Sequence, residues 1–181
     1  VICLYLYCGD GHSAKGFVSA GFEVTGVDVV NWPDWPGTLI VRDARTLDIS
    51  EWKGRVDLLL ASPPCTEFTR HTLPWVHNPP PPDLSHVEAC FRLAKEIQPR
   101  LFVLENVRGL QQFIGPANVV RHPYYFWGDL ILLPRLKFRQ KQCLSGGNTP
   151  PHMRPILKSR WPDDLVKALA SQLKGAAHGA A

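Results

Sequence analysis

Short apolar runs alternate with helix-like stretches along the first 110 residues. Val1–Tyr7 is a β-branched and aromatic run, followed by a glycine turn at Cys8–His12. Ser13–Ala20 has helical character, with Ser13 as the expected N-cap and Gly21 as its stop. Phe22–Val30 and Gly37–Val41 read as the second and third strands. Val56–Ala61 is continuously apolar, the pattern of a strand buried on both faces. Ser85–Gln98 places Val87, Cys90, Phe91, Ala94 and Ile97 at helical spacing, and Pro99 ends it. Leu101–Leu104 is a further buried strand. This order predicts an α/β fold: a mainly parallel sheet with helices on both faces.

Beyond Gly109 the periodicity weakens. His122–Leu133 reads as a strand pair around a turn at Gly128–Asp129, and Trp161–Leu173 as a closing amphipathic helix. The expectation is one domain over residues 1–174, closed by the element at 152–174, with a frayed small-residue tail at 175–181. Leu73–Asp83 carries Pro74 and the run Pro79–Pro82, which excludes regular structure and suggests an active-site loop.

Composition narrows the classes only slightly. Apolar residues make up 45% and charged residues 20%, ordinary for a globular chain. The net charge of +4 is compatible with a nucleic-acid partner but does not argue for one. The five cysteines (Cys3, Cys8, Cys65, Cys90, Cys143) form no CxxC pair and are odd in number. A disulfide framework or structural zinc site is not expected, and a reducing, cytoplasmic setting is. His71, His77 and His122 lack ligand spacing, so no metal is assigned.

Candidate chemistry lies where strands end. A turn carrying Gly9 and Gly11 lets backbone approach a nucleotide-like group closely. Asp28 and Asp43 each follow a strand, where carboxylates are placed to meet ribose hydroxyls and an adenine amine. The fourth strand ends in Ser62-Pro63-Pro64-Cys65-Thr66. The two prolines rigidify the backbone and present Cys65 at the carboxyl end of the sheet, where open α/β folds bind ligands. Glu105 ends the next strand, in the same crevice.

These residues resemble the catalytic domain of the DNA cytosine-5 methyltransferase family. Its DLF-x-G-x-G turn, G-G-P-P-C-Q-x-F-S loop and E-N-V strand end correspond to Tyr5–Gly11, Ala61–Thr69 and Glu105–Val107. The resemblance implies a Rossmann-like S-adenosylmethionine-dependent methyltransferase fold and methyl transfer to carbon 5 of cytosine in double-stranded DNA. Under it, Cys65 adds to ring carbon 6, and a protonated Glu105 hydrogen-bonds ring N3. Tyr7, Gly9, Gly11, Asp28, Asp43 and Pro63 line the cofactor. Thr66, Arg108, Arg135 and Arg139 face the nucleic acid, and the target base leaves the stack. The aromatic and basic residues Tyr124, Tyr125, Trp127, Arg154 and Arg160 extend the expected duplex surface.

The pattern also departs from the family. Tyr5 stands where the family has Asp, and Thr66 where it has Gln. The stretch after Glu105 is too short for a full target-recognition domain, as in short, phage-like members, which implies a bacterial or phage-infected cell. Arg154–Pro162 resembles the family's closing element, with Lys158 in place of Asn. A cation ~5 Å from a sulfonium costs a few kcal/mol at intermediate dielectric. Lys158 therefore raises carboxy-S-adenosylmethionine, and carboxymethyl transfer, as an alternative. A catalytically weak binding module on the same fold is a further one.

Overall fold

The computed structural model describes residues 1–129, 161 and 163–178. Among the described residues, seven strands form one sheet in the order β3-β2-β1-β4-β5-β7-β6. They are β1 (Ile2–Leu6), β2 (Glu23–Asp28), β3 (Thr38–Val41), β4 (Leu58–Ala61), β5 (Leu101–Asn106), β6 (Val119–Arg121) and β7 (Tyr124–Gly128). The first five are mutually parallel, and β7 runs antiparallel to both β5 and β6. Helices are α1 (His12–Ser19), α2 (Thr66–Arg70), α3 (Ser85–Ile97), α4 (Gln111–Ile114) and α5 (Asp163–His178). The expected α/β architecture, a mainly parallel Rossmann-like sheet with helices on both faces, is the one observed.

The sheet divides two apolar layers. One packs Phe17 of α1 and Leu165, Val166 and Leu169 of α5 against Cys3, Tyr5, Leu58 and Val103. The other packs Val87, Cys90, Leu93 and Ile97 of α3 against Leu4, Leu59, Phe102 and Leu104. Alternate residues of each central strand serve opposite layers, which is why Leu58–Ala61 is apolar throughout and wholly buried. On α3 the buried Val87, Cys90, Leu93 and Ile97 recur every three or four residues, as one helix face requires, with Ala89 beside them. Gln98 closes α3 in the left-handed region at φ 55, and Pro99 prevents continuation.

Three expectations change. Ser13 does not cap α1: Gly11 occupies that position, and Ser13 Oγ accepts the N–H of Trp161 at 3.1 Å. The serine thus ties the start of the closing helix to the glycine turn. A strand not expected, β6, precedes the run and joins β7 across a turn at His122–Pro123, while residues 130–133, the second half of the expected pair beyond Gly128–Asp129, lie outside the described residues. Gly128 lies within β7 against the backbone of Phe102, where a Cβ would collide, and its N–H meets Asn118 Oδ1 at 3.0 Å. The third change is length: α5 continues to His178, since Ala176 and Ala177 favour helix.

Candidate active site

The carboxyl ends of β1, β2, β4 and β5 converge on one edge. After β1, Tyr7 stands in the left-handed region at φ 56, as do Gly9 at 55 and Gly11 at 75. For a non-glycine residue that conformation costs about 1–3 kcal/mol and persists only where neighbours enforce it. Two contacts do so here: the Tyr7 N–H donates to Val27 O at 2.8 Å, and the hydroxyl lies 3.1 Å from His86 Nδ1. The His86 ring meets Tyr7 edge-on at 5.4 Å. Gly9 and Gly11 serve different needs. A Cβ at Gly9 would meet nothing within 4 Å, so this backbone is open to a ligand. At Gly11 a Cβ would press on Pro36 and Trp35, so its bareness serves packing.

Asp28 terminates β2 beside this turn. One carboxylate oxygen accepts the Gly9 N–H at 2.9 Å and the other the Val30 N–H at 3.0 Å. A pocket on the same edge is lined by Tyr5, Tyr7, Cys8, Gly9, Asp10, His12, Ser13 and Ser62. Bare glycine backbone, a carboxylate fixed beside it and hydroxyl groups on the wall fit the sugar and polar tail of a nucleoside cofactor.

Asp43, after β3, caps a short 3-10 turn at Ala44–Thr46. It accepts the Arg45 N–H at 2.9 Å and a forked guanidinium at 2.6–3.1 Å. The Arg45 side-chain bonds, then its N–H, hold the Asp43 carboxyl below its usual range.

The β4–α2 loop carries Cys65. Pro63 is buried and Pro64 exposed, leaving Cys65 half-buried at the first turn of α2. The Cys65 carbonyl accepts both the N–H and the hydroxyl of Thr69 at 3.0 Å. The other described cysteines, Cys3, Cys8 and Cys90, are buried, and burial pushes their thiols far above the ordinary range. Cys65 alone of the four described stands where a substrate reaches it.

Glu105 is buried within β5, with 7% of its surface exposed. The register Ala61↔Leu104 sets Ser62 and Glu105 side by side at the strand ends. Glu105 opposes Phe126 of β7. Burial first, and the nearby Glu105 charge second, push the Tyr124 phenol up to about 12. Asn106 is 1% exposed, and its side-chain amide donates to the Pro63 carbonyl at 2.9 Å. That bond ties the strand end bearing Glu105 to the loop bearing Cys65. A second tie lies beneath it: Gly109 packs directly on the Phe68 carbonyl of α2, leaving no room for a Cβ.

The structure therefore brings Tyr7, Gly9, Asp28, Pro63, Cys65 and Glu105 to one edge, with Asp43 at its far side. Thr66 and Arg108 are exposed on the loops flanking Cys65 and Glu105. Tyr124, Tyr125 and Trp127 are no duplex surface: β7 is paired on both sides, its side chains are buried, and the Trp127 indole donates to Gly115 O at 3.1 Å. Arg135, Arg139, Arg154, Lys158 and Arg160 lie outside the described residues, so the charge argument for a carboxylated cofactor has no counterpart here. Among the described residues no group of three metal-ligating side chains is found, and no helix is long and apolar enough to cross a membrane.

Sequence reasoning missed His86, Arg45 and the role of Asn106. Asn106 was legible as part of E-N-V. His86 reaches Tyr7 across 79 positions, and no local signal announces it. The Tyr5 departure also gains an explanation. Its hydroxyl lies 3.4 Å from Ser62 Oγ, and its ring packs 6.2 Å from Trp161. Tyr5 and Ser62, both unlike the family pattern, meet each other.

Comparison with known proteins follows the same residues. The model for C-5 cytosine-specific DNA methylase matches residues 30–114, which include Asp43, Cys65 and Glu105 but begin after the glycine turn and Asp28. The chain is 28% identical over 113 residues to the type II methyltransferase M.SacI of Streptomyces achromogenes, covering 56% of this chain and 28% of that protein. It is 30% identical over 114 residues to M.FnuDI of Fusobacterium nucleatum, covering 59% and 32%. The chain thus spans about a third or less of these relatives. Among solved structures it is similar to the S. pombe Dnmt2 methyltransferase, with 16% identity, a TM-score of 0.44, and coverage of 62% of this chain and 36% of that one. On the stretch that carries Cys65 and Glu105, residues 30–114, this chain matches the model of the C-5 cytosine-specific DNA methylase family.

Proposed function

We propose that the protein transfers a methyl group from S-adenosylmethionine to carbon 5 of cytosine in DNA, through a covalent adduct at Cys65. The observation that carries this reading is the Asn106–Pro63 bond of 2.9 Å, which holds the Cys65 loop against the strand end that bears Glu105. A nucleophile and a carboxyl on separate strands act on one ring only if their spacing is fixed, and a buried hydrogen bond between them fixes it.

Carbon 5 of cytosine is a weak nucleophile. Addition of the Cys65 thiolate to carbon 6 pushes electron density onto carbon 5 and ring N3. Glu105, in its acid form, donates a hydrogen bond to N3 as that charge develops. Bound S-adenosylmethionine supplies an electrophilic methyl carbon. Tyr7, Gly9 and Asp28 would hold its nucleoside and Pro63 would bound it on the Cys65 side. Once carbon 5 carries the methyl group, its proton passes to water, the bonding pair returns to the ring, and the carbon 6–sulfur bond breaks to release the Cys65 thiolate.

The target base must leave the stack to reach a half-buried thiol. The segment between Glu67 and Asp83, made of the end of α2 and the loop after it, contains no acidic residue from Phe68 to Pro82, and it carries Arg70, His71, His77 and Trp75, which is 70% exposed. An acid-free loop with an open aromatic ring suits a phosphate-lined duplex. Thr66 and Arg108 flank it.

The test is mass spectrometry of nucleosides from duplex DNA incubated with the protein, with S-adenosylmethionine and its carboxylated analogue in parallel. The expected product is 5-methylcytosine, absent with Cys65→Ala. Unmodified DNA from the folded wild-type protein with both cofactors overturns the reading.

A further inference from the structure

The start of α3 is a junction of three loops from the ligand-binding edge. Tyr7 of the glycine turn reaches His86. From the Cys65 side, Glu67 of α2 accepts the Asp83 N–H at 2.6 Å. That bond joins α2 to the far end of the proline-rich loop, so the last residues of α2 and the loop after it form a closed excursion with its neck at Glu67–Asp83. The Asp83 carboxylate then accepts the N–H and the hydroxyl of Ser85, at 2.8 and 3.0 Å. From the third side, Arg45 Nη1 donates to Ser85 Oγ at 3.1 Å.

The direction of every bond in this chain is fixed. A guanidinium only donates, so Ser85 Oγ accepts from Arg45 and sends its own proton to Asp83. The Asp83 carboxyl lies below its usual range, chiefly through the Ser85 N–H. At the far end, the two Asp43 oxygens take four Arg45 contacts: the backbone N–H, Nε to both oxygens, and Nη2. A carboxylate offers about four lone-pair sites, so the set is full. An amine of a ligand at Asp43 therefore takes a site from Arg45. The guanidinium is a rigid plane, so a shift at Nε and Nη2 is a shift at Nη1 on Ser85.

We propose that Arg45 and Ser85 are positioning residues that couple occupancy at Asp43 to closure of the Cys65-side loop at Glu67–Asp83, so that cofactor and duplex bind cooperatively. This rests on the reading of Asp43 as facing a nucleoside cofactor and of residues 66–83 as facing DNA. When a ligand amine takes up Asp43, the Arg45 fork leans toward Ser85 and steadies the neck. By linkage, a duplex that closes the loop favours the ligand to the same degree.

The test measures the dissociation constant of S-adenosylhomocysteine, which transfers nothing, with and without a saturating cytosine-containing duplex. In the wild type the duplex tightens binding about fivefold or more, at the lower end of ordinary coupling. Ser85→Ala cuts the chain at its middle while leaving the Ser85 N–H on Asp83. It brings the ratio to within about twofold of one and leaves binding by the DNA-free protein and the thermal melt close to wild type. Ser85→Thr, which keeps the hydroxyl, restores the ratio. A wild-type ratio retained in Ser85→Ala overturns the proposal. So does a wild-type ratio of one with both ligands bound, which leaves the functional reading standing. Failure of the folded wild type to bind either ligand removes that reading, and this proposal with it.

Discussion

The two halves of the ligand-binding edge are held in opposite ways. On the side of β1, β2 and β3, the acids proposed to meet the cofactor are fixed by their own loops: Asp28 by Gly9 and Val30, Asp43 by Arg45. On the side of β4 and β5, Cys65 and Glu105 are fixed from beneath, by Asn106 on Pro63 and by Gly109 against Phe68. Of the first set, the Asp43–Arg45 pair stands in water, with 29% of the Asp43 and 41% of the Arg45 side chain exposed. The second set is buried. Exposed ion pairs contribute little to stability and leave a carboxylate ready to exchange partners, whereas buried contacts set a geometry and cost stability when broken. A binding edge that must admit and release a ligand, beside a reaction edge that must hold its spacing, follows from that division.

Substitutions can break the comparison. The largest effect falls on chemistry at the buried half. Glu105→Gln keeps the shape of the side chain and removes its acid, so the rate of cytosine modification in single-turnover assays falls by about 100-fold or more while cofactor affinity holds. An unchanged rate would remove Glu105 from the reaction. Next comes stability. Asn106→Ala leaves the buried Pro63 carbonyl without its donor and costs about 1–3 kcal/mol by urea denaturation. Gly109→Ala, forced against the Phe68 backbone, costs a similar ~1–3 kcal/mol. Neither loss is expected from a substitution at the exposed half.

Smaller effects sharpen the other side. Tyr7→Phe keeps the ring and removes the His86 partner, so cofactor affinity weakens by about 1 kcal/mol in titration calorimetry, with modification at saturating cofactor close to wild type. The smallest concerns acid. The folded Asp43 carboxyl titrates below its ordinary value of 3.8, so its contribution is complete above that pH and is lost as pH falls through the lower folded value. Stability of the wild type relative to Asp43→Asn is thus flat from neutrality to about pH 5 and narrows only under strong acid. A difference that narrows between pH 7 and 5 would contradict the Arg45 account.

Much of this is legible in the sequence. Leu58–Ala61 and Leu101–Leu104 announced themselves because strands buried on both faces have no polar positions. The strand ends then located Asp28, Asp43, Cys65 and Glu105 by topology alone. The aromatic run Tyr124–Trp127 misled, because composition does not reveal that a late antiparallel strand enters between β5 and β6 and buries both its faces. Ser13 misled for a related reason. A hydroxyl near a helix start serves the cap locally unless a distant N–H, here that of Trp161, claims it. Long-range pairings such as Tyr7 with His86 leave no periodic trace.

Covalent trapping tests the central claim most directly. A duplex with 5-fluorocytosine at the target position lacks the carbon-5 proton whose loss frees the enzyme, so the adduct persists once the methyl group has been transferred. With S-adenosylmethionine present, the account predicts a protein–DNA species stable to denaturation, its attachment mapped by peptide mass spectrometry to Cys65. It predicts none with Cys65→Ala. Methylated cytosine formed without any such adduct, or an adduct at another residue, would contradict it.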